Sequence, residues 1–157
     1  MTREENYMME AIILSQNGAR NNEGGPFGCI IVKDDKIIGK GNNKVTSSND
    51  PTAHAEVVAI RDACKNLNTF QLDGCEIYTS CEPCPMCLGA IYWSRPKVVY
   101  FANTRKDAAH IGFDDSMIYE EFGIDLDKRK IPIINMGREE ALKIFTEWQS
   151  KKDKIQY

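Results

Sequence analysis

Two short segments, far apart in the chain, carry side chains that can bind one metal ion, and they restrict the fold more than any other feature. The first contains His54 and Glu56, and the second contains Cys84 and Cys87, about 30 residues further on. Residues i and i+3 are neighbours on one helical turn, so both sulfur atoms can reach a single ion. The fold must therefore bring the two segments to one point.

Both segments are expected at helix starts. Pro85 suits a first helical turn, and Pro51 with Thr52 predicts a helix start just before His54. The positive end of the helix dipole favours the thiolate that a metal requires. One imidazole and two thiolates suit zinc better than magnesium or calcium. The sequence thus predicts zinc bound by His54, Cys84 and Cys87.

Cys81 decides whether this zinc site is open or closed. Catalytic zinc sites keep one position for water, whereas structural sites fill it with a fourth protein ligand. Glu82 precedes Pro83 and is restricted to extended backbone, which moves Cys81 off the helical turn of the other two cysteines. The open site is favoured, and a closed Cys₃His site is the alternative. An iron–sulfur cluster is disfavoured because no fourth cysteine follows shortly after Cys87.

Glu56 strengthens the prediction of an open, catalytic site. It lies two residues after His54, roughly 200° around an ideal helix, so the two cannot share a helix side. They can serve one site only if that site lies over the helix end. Considered alone, Glu56 is better explained as an ordinary first-turn glutamate that the helix dipole favours.

The charge balance favours a small-molecule substrate over nucleic acid. The net charge is −3 and the isoelectric point about 5.5, whereas proteins that bind a phosphate backbone usually carry a basic field. A basic cluster at Lys151, Lys152 and Lys154 is most simply a solvated tail. The sequence shows neither a membrane-spanning run nor a signal peptide, so the six cysteines predict metal binding or chemistry in the cytoplasm rather than disulfides.

Alternating helix and strand patterns predict a single α/β domain over residues 1–157. The expected architecture has three layers, α/β/α, around a mixed five-stranded sheet. Strands are predicted at 27–32, 36–39, 76–79, 97–101 and 131–134. Helices are predicted from Thr2 to about Gly18, from Pro51 to about Asn66, and at 85–93, 116–121 and 138–149, with a polar loop at 42–50. The first helix is expected to bury one side: Tyr7, Met8, Ala11, Ile12 and Leu14.

His-x-Glu followed by Pro-Cys-x-x-Cys is similar to the signature of zinc nucleobase deaminases. The chain resembles the cytidine-deaminase-like superfamily throughout and, within it, the bacterial guanine deaminases. Segments 24–28, 48–56 and 78–87 are shared with tRNA adenosine deaminases, which are the alternative. Segment 112–116 and the ending at Tyr157 favour guanine deaminase.

The resemblance implies hydrolysis of guanine to xanthine and ammonia, with one zinc ion per subunit and Glu56 moving the protons. It implies that Asn43 holds the purine edge and that Asp115 contacts the substrate or relays protons. Ala55 is a further substrate-binding candidate, and three aromatic residues would pack around the ring: Phe27, Trp93 and Phe113. Without the resemblance, Asn43 is a turn residue, Asp115 a helix cap and Trp93 a core residue, and His110 has no assigned role.

The resemblance also implies a homodimer that exchanges C-terminal segments, here residues 137–157. An amphipathic helix is expected there, with Leu142, Ile144, Phe145 and Trp148 on its apolar side. The tail that follows would bring Tyr157 into the partner's pocket. A non-catalytic zinc-stabilised binding module is the alternative of another class.

Overall fold

The computed structural model describes residues 1–157, and its strands form one mixed sheet of four strands. Strand β1 pairs antiparallel with β2 and β3, and β3 pairs parallel with β4, which gives the order β2-β1-β3-β4. The strands span Gly28–Lys33 (β1), Lys36–Asn42 (β2), Glu76–Cys81 (β3) and Val98–Asn103 (β4).

Seven helices accompany the sheet, and each is either too short or too polar to cross a membrane. The chain divides into two compact units, Met1–Asp115 and Ser116–Tyr157. The first contains the sheet and α1 to α5, and the second contains α6, a 3₁₀ turn at Leu126–Lys128, and α7. The helices span Arg3–Arg20 (α1), Val45–Ser48 (α2), Ala55–Leu67 (α3), Pro85–Ser94 (α4), Arg105–His110 (α5), Ser116–Phe122 (α6) and Arg138–Ser150 (α7).

Strand β1 carries an unbroken apolar run from Cys29 to Val32, and helices cover both faces of the sheet there. Cys29 and Ile31 point into a cluster with α3 and with Ile91 of α4. Ile30 and Val32 point the other way, against Ala11 of α1. Side chains alternate along a strand, so a strand covered on both sides reads as one apolar run. The predicted layering of helices on both faces is thus observed.

The predicted helix starts and ends were correct at some positions and wrong at others. Thr2 and Glu5 form the predicted capping box, but α1 continues past Gly18, a buried glycine packed against Asn42, to Arg20. Helix α3 begins at Ala55 and not at Pro51, since Asp50 accepts hydrogen bonds from Thr52 and holds that segment in a turn.

Two short helices were not predicted. The first, α2, occupies part of the segment assigned to a polar loop at 42–50. The second, α5, begins after a capping box between Thr104 and Asp107. A threonine followed three residues later by an acidic residue is the pattern that could have revealed α5.

The fifth strand, expected at 131–134, is wrong for this chain. Residues 131–137 form neither helix nor strand, and the sheet has four strands. A strand needs a neighbouring strand for its backbone groups, and the segment pairs with none within the chain. Its apolar side chains are largely exposed, namely Ile131, Ile133, Ile134 and Met136.

Candidate active site

His54 lies at the start of α3 and is fixed by backbone hydrogen bonds on both sides. It is the N-cap residue, with extended backbone, and its carbonyl oxygen accepts from the Val58 nitrogen at 2.9 Å. Just before it, the Ala53 carbonyl oxygen accepts from the Lys44 nitrogen at 2.9 Å. These bonds tie the imidazole to the end of β2 and to the first turn of α3.

Cys84 occupies the equivalent position at the start of α4. It is the N-cap residue, Pro85 follows as the first helical residue, and the Cys84 carbonyl oxygen accepts from the Leu88 nitrogen at 2.8 Å. Cys87 lies in the same first turn and is completely buried, whereas Cys84 is half-buried. Two helix N-termini therefore converge, as the sequence required.

The three predicted ligand atoms lie together. The Nδ1 atom of His54 is 3.5 Å from the Sγ atom of Cys84 and 3.5 Å from that of Cys87. All three ligand atoms lie within 4.8 Å of one another. Tetrahedral zinc, with Zn–S near 2.3 Å and Zn–N near 2.0 Å, places sulfur and nitrogen roughly 3.5 Å apart. His54, Cys84 and Cys87 are thus positioned to bind a zinc ion.

Hydrogen bonding within this group ionises one thiol. A hydrogen bond from the Cys87 thiol to Cys84 lowers the pKa of Cys84 to about 4, and a second hydrogen bond, between Cys84 and His54, acts in the same direction. The bond between the two cysteines, together with burial, raises the pKa of Cys87 well above its ordinary range. The bond to Cys84 also raises the pKa of His54. Cys84 is therefore a thiolate at neutral pH, the form in which a cysteine binds metal.

Cys81 points away from the three ligands. Its Sγ atom lies 3.7 Å from the carbonyl oxygen of Thr104, to which the thiol donates. Burial raises the pKa of Cys81 to about 11, so this thiol is protonated at neutral pH. The group that can hold the ion therefore consists of one histidine and two cysteines.

Glu56 follows His54 by two residues and turns inward beneath the ligand group. It is only 6% exposed, and its Oε1 atom accepts a hydrogen bond from Thr79 Oγ1 at 3.0 Å. Burial raises the pKa of Glu56, and the charges that act on it include that of Cys84. A buried carboxylate of raised pKa beside a zinc site can take up and release protons at neutral pH.

Asn43 and Phe27 are linked to each other by the backbone and lie near the start of β1. The Asn43 nitrogen donates to the Phe27 carbonyl oxygen at 3.0 Å. The Asn43 side chain is buried, and its Oδ1 atom accepts from the backbone nitrogens of Gly25 and Val45. Because Oδ1 is occupied, the Nδ2 group is the part of this amide that can donate to a ligand.

Phe27 and Phe113 form an edge-to-face pair with ring centroids 5.0 Å apart. The absence of a side chain at Gly25 leaves room for this pair, because a Cβ atom there would lie 3.0 Å from the Phe27 ring and 3.1 Å from the Phe113 ring. Asp115 follows two residues later, and burial together with the negative charge of Cys84 raises its pKa. The structure thus brings Phe113 next to Phe27 and Asp115 towards Cys84.

Three substrate-binding candidates remain, namely Ala55, Trp93 and Tyr157. Ala55 is the first residue of α3 and belongs to the buried core. Trp93 is in the last turn of α4, roughly 13 Å along the helix axis from Cys84, and is 64% exposed. Tyr157 belongs to the second compact unit and is exposed. The substrate contacts of these three residues stay predictions.

Sequence reasoning missed Thr79, which contacts Glu56 directly. A hydroxyl residue inside a predicted strand could have indicated a need for a polar partner, but not that this partner is Glu56. Thr79 lies two residues after Ile77, so both side chains face the same side of the sheet, the side covered by α3.

Comparison with known proteins agrees with this geometry. Residues 1–103 match the family model described as the cytidine and deoxycytidylate deaminase zinc-binding region, which includes all three ligands and Glu56. A guanine deaminase from Bacillus subtilis is 53% identical over 153 residues, or 98% of each chain. A tRNA-specific adenosine deaminase from Buchnera aphidicola is 36% identical over 149 residues, 94% of this chain and 95% of that protein.

A solved structure shows the same agreement over nearly the whole chain. The X-ray structure of guanine deaminase from Bacillus subtilis superposes with a TM-score of 0.95 at 53% identity and covers 98% of both chains. The match therefore includes the second compact unit as well as the sheet.

Proposed function

The chain belongs to the cytidine and deoxycytidylate deaminase family, and we propose that it is a zinc-dependent hydrolase that converts guanine to xanthine and ammonia. The observation that carries the choice of guanine is the full-length similarity to a guanine deaminase, which includes segment 112–116 next to the site. The similarity to tRNA-specific deaminases is lower in identity.

His54, Cys84 and Cys87 would hold the zinc ion, and a bound zinc ion supplies a Lewis acid that activates water near neutral pH. Glu56 acts as the proton carrier. It accepts a proton from the attacking water and delivers it to ring N3. It then takes the proton of the new hydroxyl at C2 and delivers it to the amino group as the C2–N bond breaks. Burial suits Glu56 to this exchange, because a carboxyl group of raised pKa both gains and loses protons readily.

Asn43, Phe27 and Phe113 would orient the purine in front of Glu56. The free Nδ2 donor of Asn43 fits an acceptor on the purine edge, and the edge-to-face aromatic pair offers an apolar wall for the ring. Ala55 lies in the first turn of α3, where backbone N–H groups lack helical acceptors and can donate to substrate. Asp115 would contact the substrate amino group, and the effect of the Cys84 charge on its pKa supports a place for it near the ligand group.

We further propose a homodimer in which residues 137–157 of each copy pack on the other copy. Helix α7 has no buried residue and presents apolar side chains to solvent, with Phe145 73% exposed. A helix of this kind needs an apolar partner surface. Trp93 and Tyr157 would reach the substrate pocket in this assembly.

Subunit complementation tests the exchange. A chain with Glu56→Ala and a chain lacking residues 155–157 are each expected to be nearly inactive as homodimers. Co-expressed, they should regain about a quarter of wild-type turnover, because a mixed dimer holds one intact site made from an intact pocket and an intact tail. Sedimentation must show a dimer, and an absence of regained turnover in mixed dimers would contradict a tail that acts between subunits.

Ammonia release tests the substrate. The zinc-loaded protein is incubated with guanine, adenine, cytosine and an anticodon stem-loop that contains adenosine. We expect ammonia from guanine and formation of xanthine in equal amount. Ammonia from the stem-loop alone would favour tRNA deamination.

The six free thiols support the cytoplasm as the compartment, which cell fractionation would test.

A further inference from the structure

Thr79 and Glu56 form a hydrogen bond between two almost completely buried side chains. Thr79 is 1% exposed, Glu56 is 6% exposed, and the Thr79 Oγ1 atom lies 3.0 Å from Glu56 Oε1. Thr79 belongs to the rigid centre of the sheet, since β3 is paired on both sides. Glu56 belongs to α3, but one of its carboxylate oxygens is thus also hydrogen-bonded to the sheet.

We propose that Thr79 is a positioning residue for the deamination reaction: its hydroxyl fixes Glu56 Oε1 so that Oε2 faces the substrate. This inference rests on the proposed function. A hydroxyl suits the task because it can donate to a carboxylate and accept from a carboxylic acid, so the contact survives both protonation states of Glu56.

On this face of the sheet, the Thr79 hydroxyl is the group that hydrogen-bonds to the Glu56 carboxylate, and the neighbouring Cys29 is directed elsewhere. Cys29 of β1 is the cross-strand partner of Thr79, lies on the same face, and is completely buried. Its thiol is directed to the Ile30 carbonyl oxygen, 3.8 Å away. With valine at position 79, the same surface would be filled by a methyl group. The Glu56 carboxylate would lose its bond to the sheet and keep only those to its own backbone and to Cys87.

Free rotation of a general base is costly to catalysis because a proton moves efficiently only along a formed hydrogen bond. Removing one hydrogen bond to a charged group costs the equivalent of about 10- to 100-fold in an equilibrium. If that bond positions Glu56 during proton transfer, the loss should fall on kcat while KM stays near the wild-type value. Zinc binding should be unaffected, since Thr79 is not among the ligand group.

The test compares Thr79→Val, which keeps the shape and loses the hydroxyl, with Thr79→Ser, which keeps the hydroxyl. We expect kcat for guanine to fall about 10- to 100-fold in Thr79→Val, with KM and zinc content within about twofold of wild type. Thr79→Ser should recover most of the lost turnover. Binding of xanthine, measured by titration, should be the same in all three proteins.

Ser94→Ala is the matched control, because it removes another buried hydroxyl, one that donates within α4 to the Ile91 carbonyl oxygen. Thermal unfolding of each variant separates a loss of fold from a loss of turnover. Wild-type kcat in Thr79→Val, or an equal fall in Thr79→Val and Thr79→Ser, would overturn the inference. A wild-type protein inactive on guanine would instead contradict the proposed function.

Discussion

Gly41 of β2 and Ala59 of α3 approach so closely that a Cβ atom on Gly41 would lie 2.6 Å from the Ala59 nitrogen. Gly39, two residues earlier on the same face, makes a similar approach, with its Cβ position 2.7 Å from Ala63 Cβ. The glycines let α3 lie directly on the sheet. His54 and Glu56 are at the start of this helix, so the distance between β2 and α3 sets the position of the site.

Gly41→Ala should therefore weaken both the fold and the metal site. Overpacking of this kind lowers the free energy of unfolding by about 1–3 kcal/mol or more. Displacing α3 also moves His54 relative to the two cysteines, so zinc affinity should fall. Denaturant unfolding and metal analysis measure the two effects. Gly123→Ala is the control, since its Cβ would meet only the Glu120 carbonyl oxygen at 3.6 Å. Equal stability of the two variants would contradict the prediction.

Glu56→Gln should abolish most turnover and leave the metal in place. Glutamine keeps the size and can still contact Thr79, but it cannot carry a proton at neutral pH. The expected loss in kcat is about 10²- to 10⁴-fold or more, the contribution of general acid–base catalysis. A non-catalytic zinc-binding module predicts no change in any measured property. Ammonia release and zinc content from one preparation distinguish the two outcomes.

Cys84→Ser and Cys81→Ser should differ sharply in zinc content. Cys84 belongs to the ligand group, whereas the Cys81 thiol donates to the Thr104 carbonyl oxygen. Metal analysis should find close to one zinc ion per chain after Cys81→Ser and much less after Cys84→Ser. Equal loss of zinc from both variants would point to the closed four-ligand site.

The position of the metal site was predictable from sequence because its determinants are local. The i, i+3 spacing of Cys84 and Cys87, and the proline between them, specify a helix start with both sulfurs on one turn. The exclusion of Cys81 from the group follows from the extended backbone before Pro83. Each of these constraints acts within a few residues and does not depend on the rest of the fold.

Contacts between distant residues were not predictable in the same way. Nothing near Thr79 in the sequence indicates that its hydroxyl meets Glu56, 23 residues earlier, because pairing of β3 with β1 and packing of α3 create that contact. The strand predicted at 131–134 was wrong for a related reason. The short apolar run of this segment favours a strand, but a strand forms only where a second edge supplies hydrogen bonds.

Removing residues 155–157 should lower turnover while zinc content stays the same. The reason is the proposed closure of a partner's pocket by Tyr157, which excludes water and holds the purine. Tyr157→Phe is the matched variant, because it keeps the ring and removes the hydroxyl. A small effect in Tyr157→Phe with a large one in the truncation would assign the role to the ring. Unchanged turnover in the truncated protein would remove the tail from the mechanism.

The interactions of Glu76 should stabilise the protein at neutral pH and be lost in acid. Its Oε2 atom accepts from Arg3 Nη1 at 2.8 Å and from the Tyr78 hydroxyl at 2.7 Å, and the Arg3 bond in particular lowers its pKa below the ordinary 4.5. Because the folded pKa is the lower one, the stabilisation is present above about pH 4.5 and is lost as pH falls through the folded value. Glu76→Gln should thus be less stable than wild type at pH 7, and the difference should vanish as pH falls through the folded pKa of Glu76. Denaturant unfolding at several pH values measures the difference, with Glu147→Gln as the control for an exposed carboxylate. A difference that stays constant as the pH is lowered from 7 to well below the ordinary pKa of 4.5 would contradict the assignment.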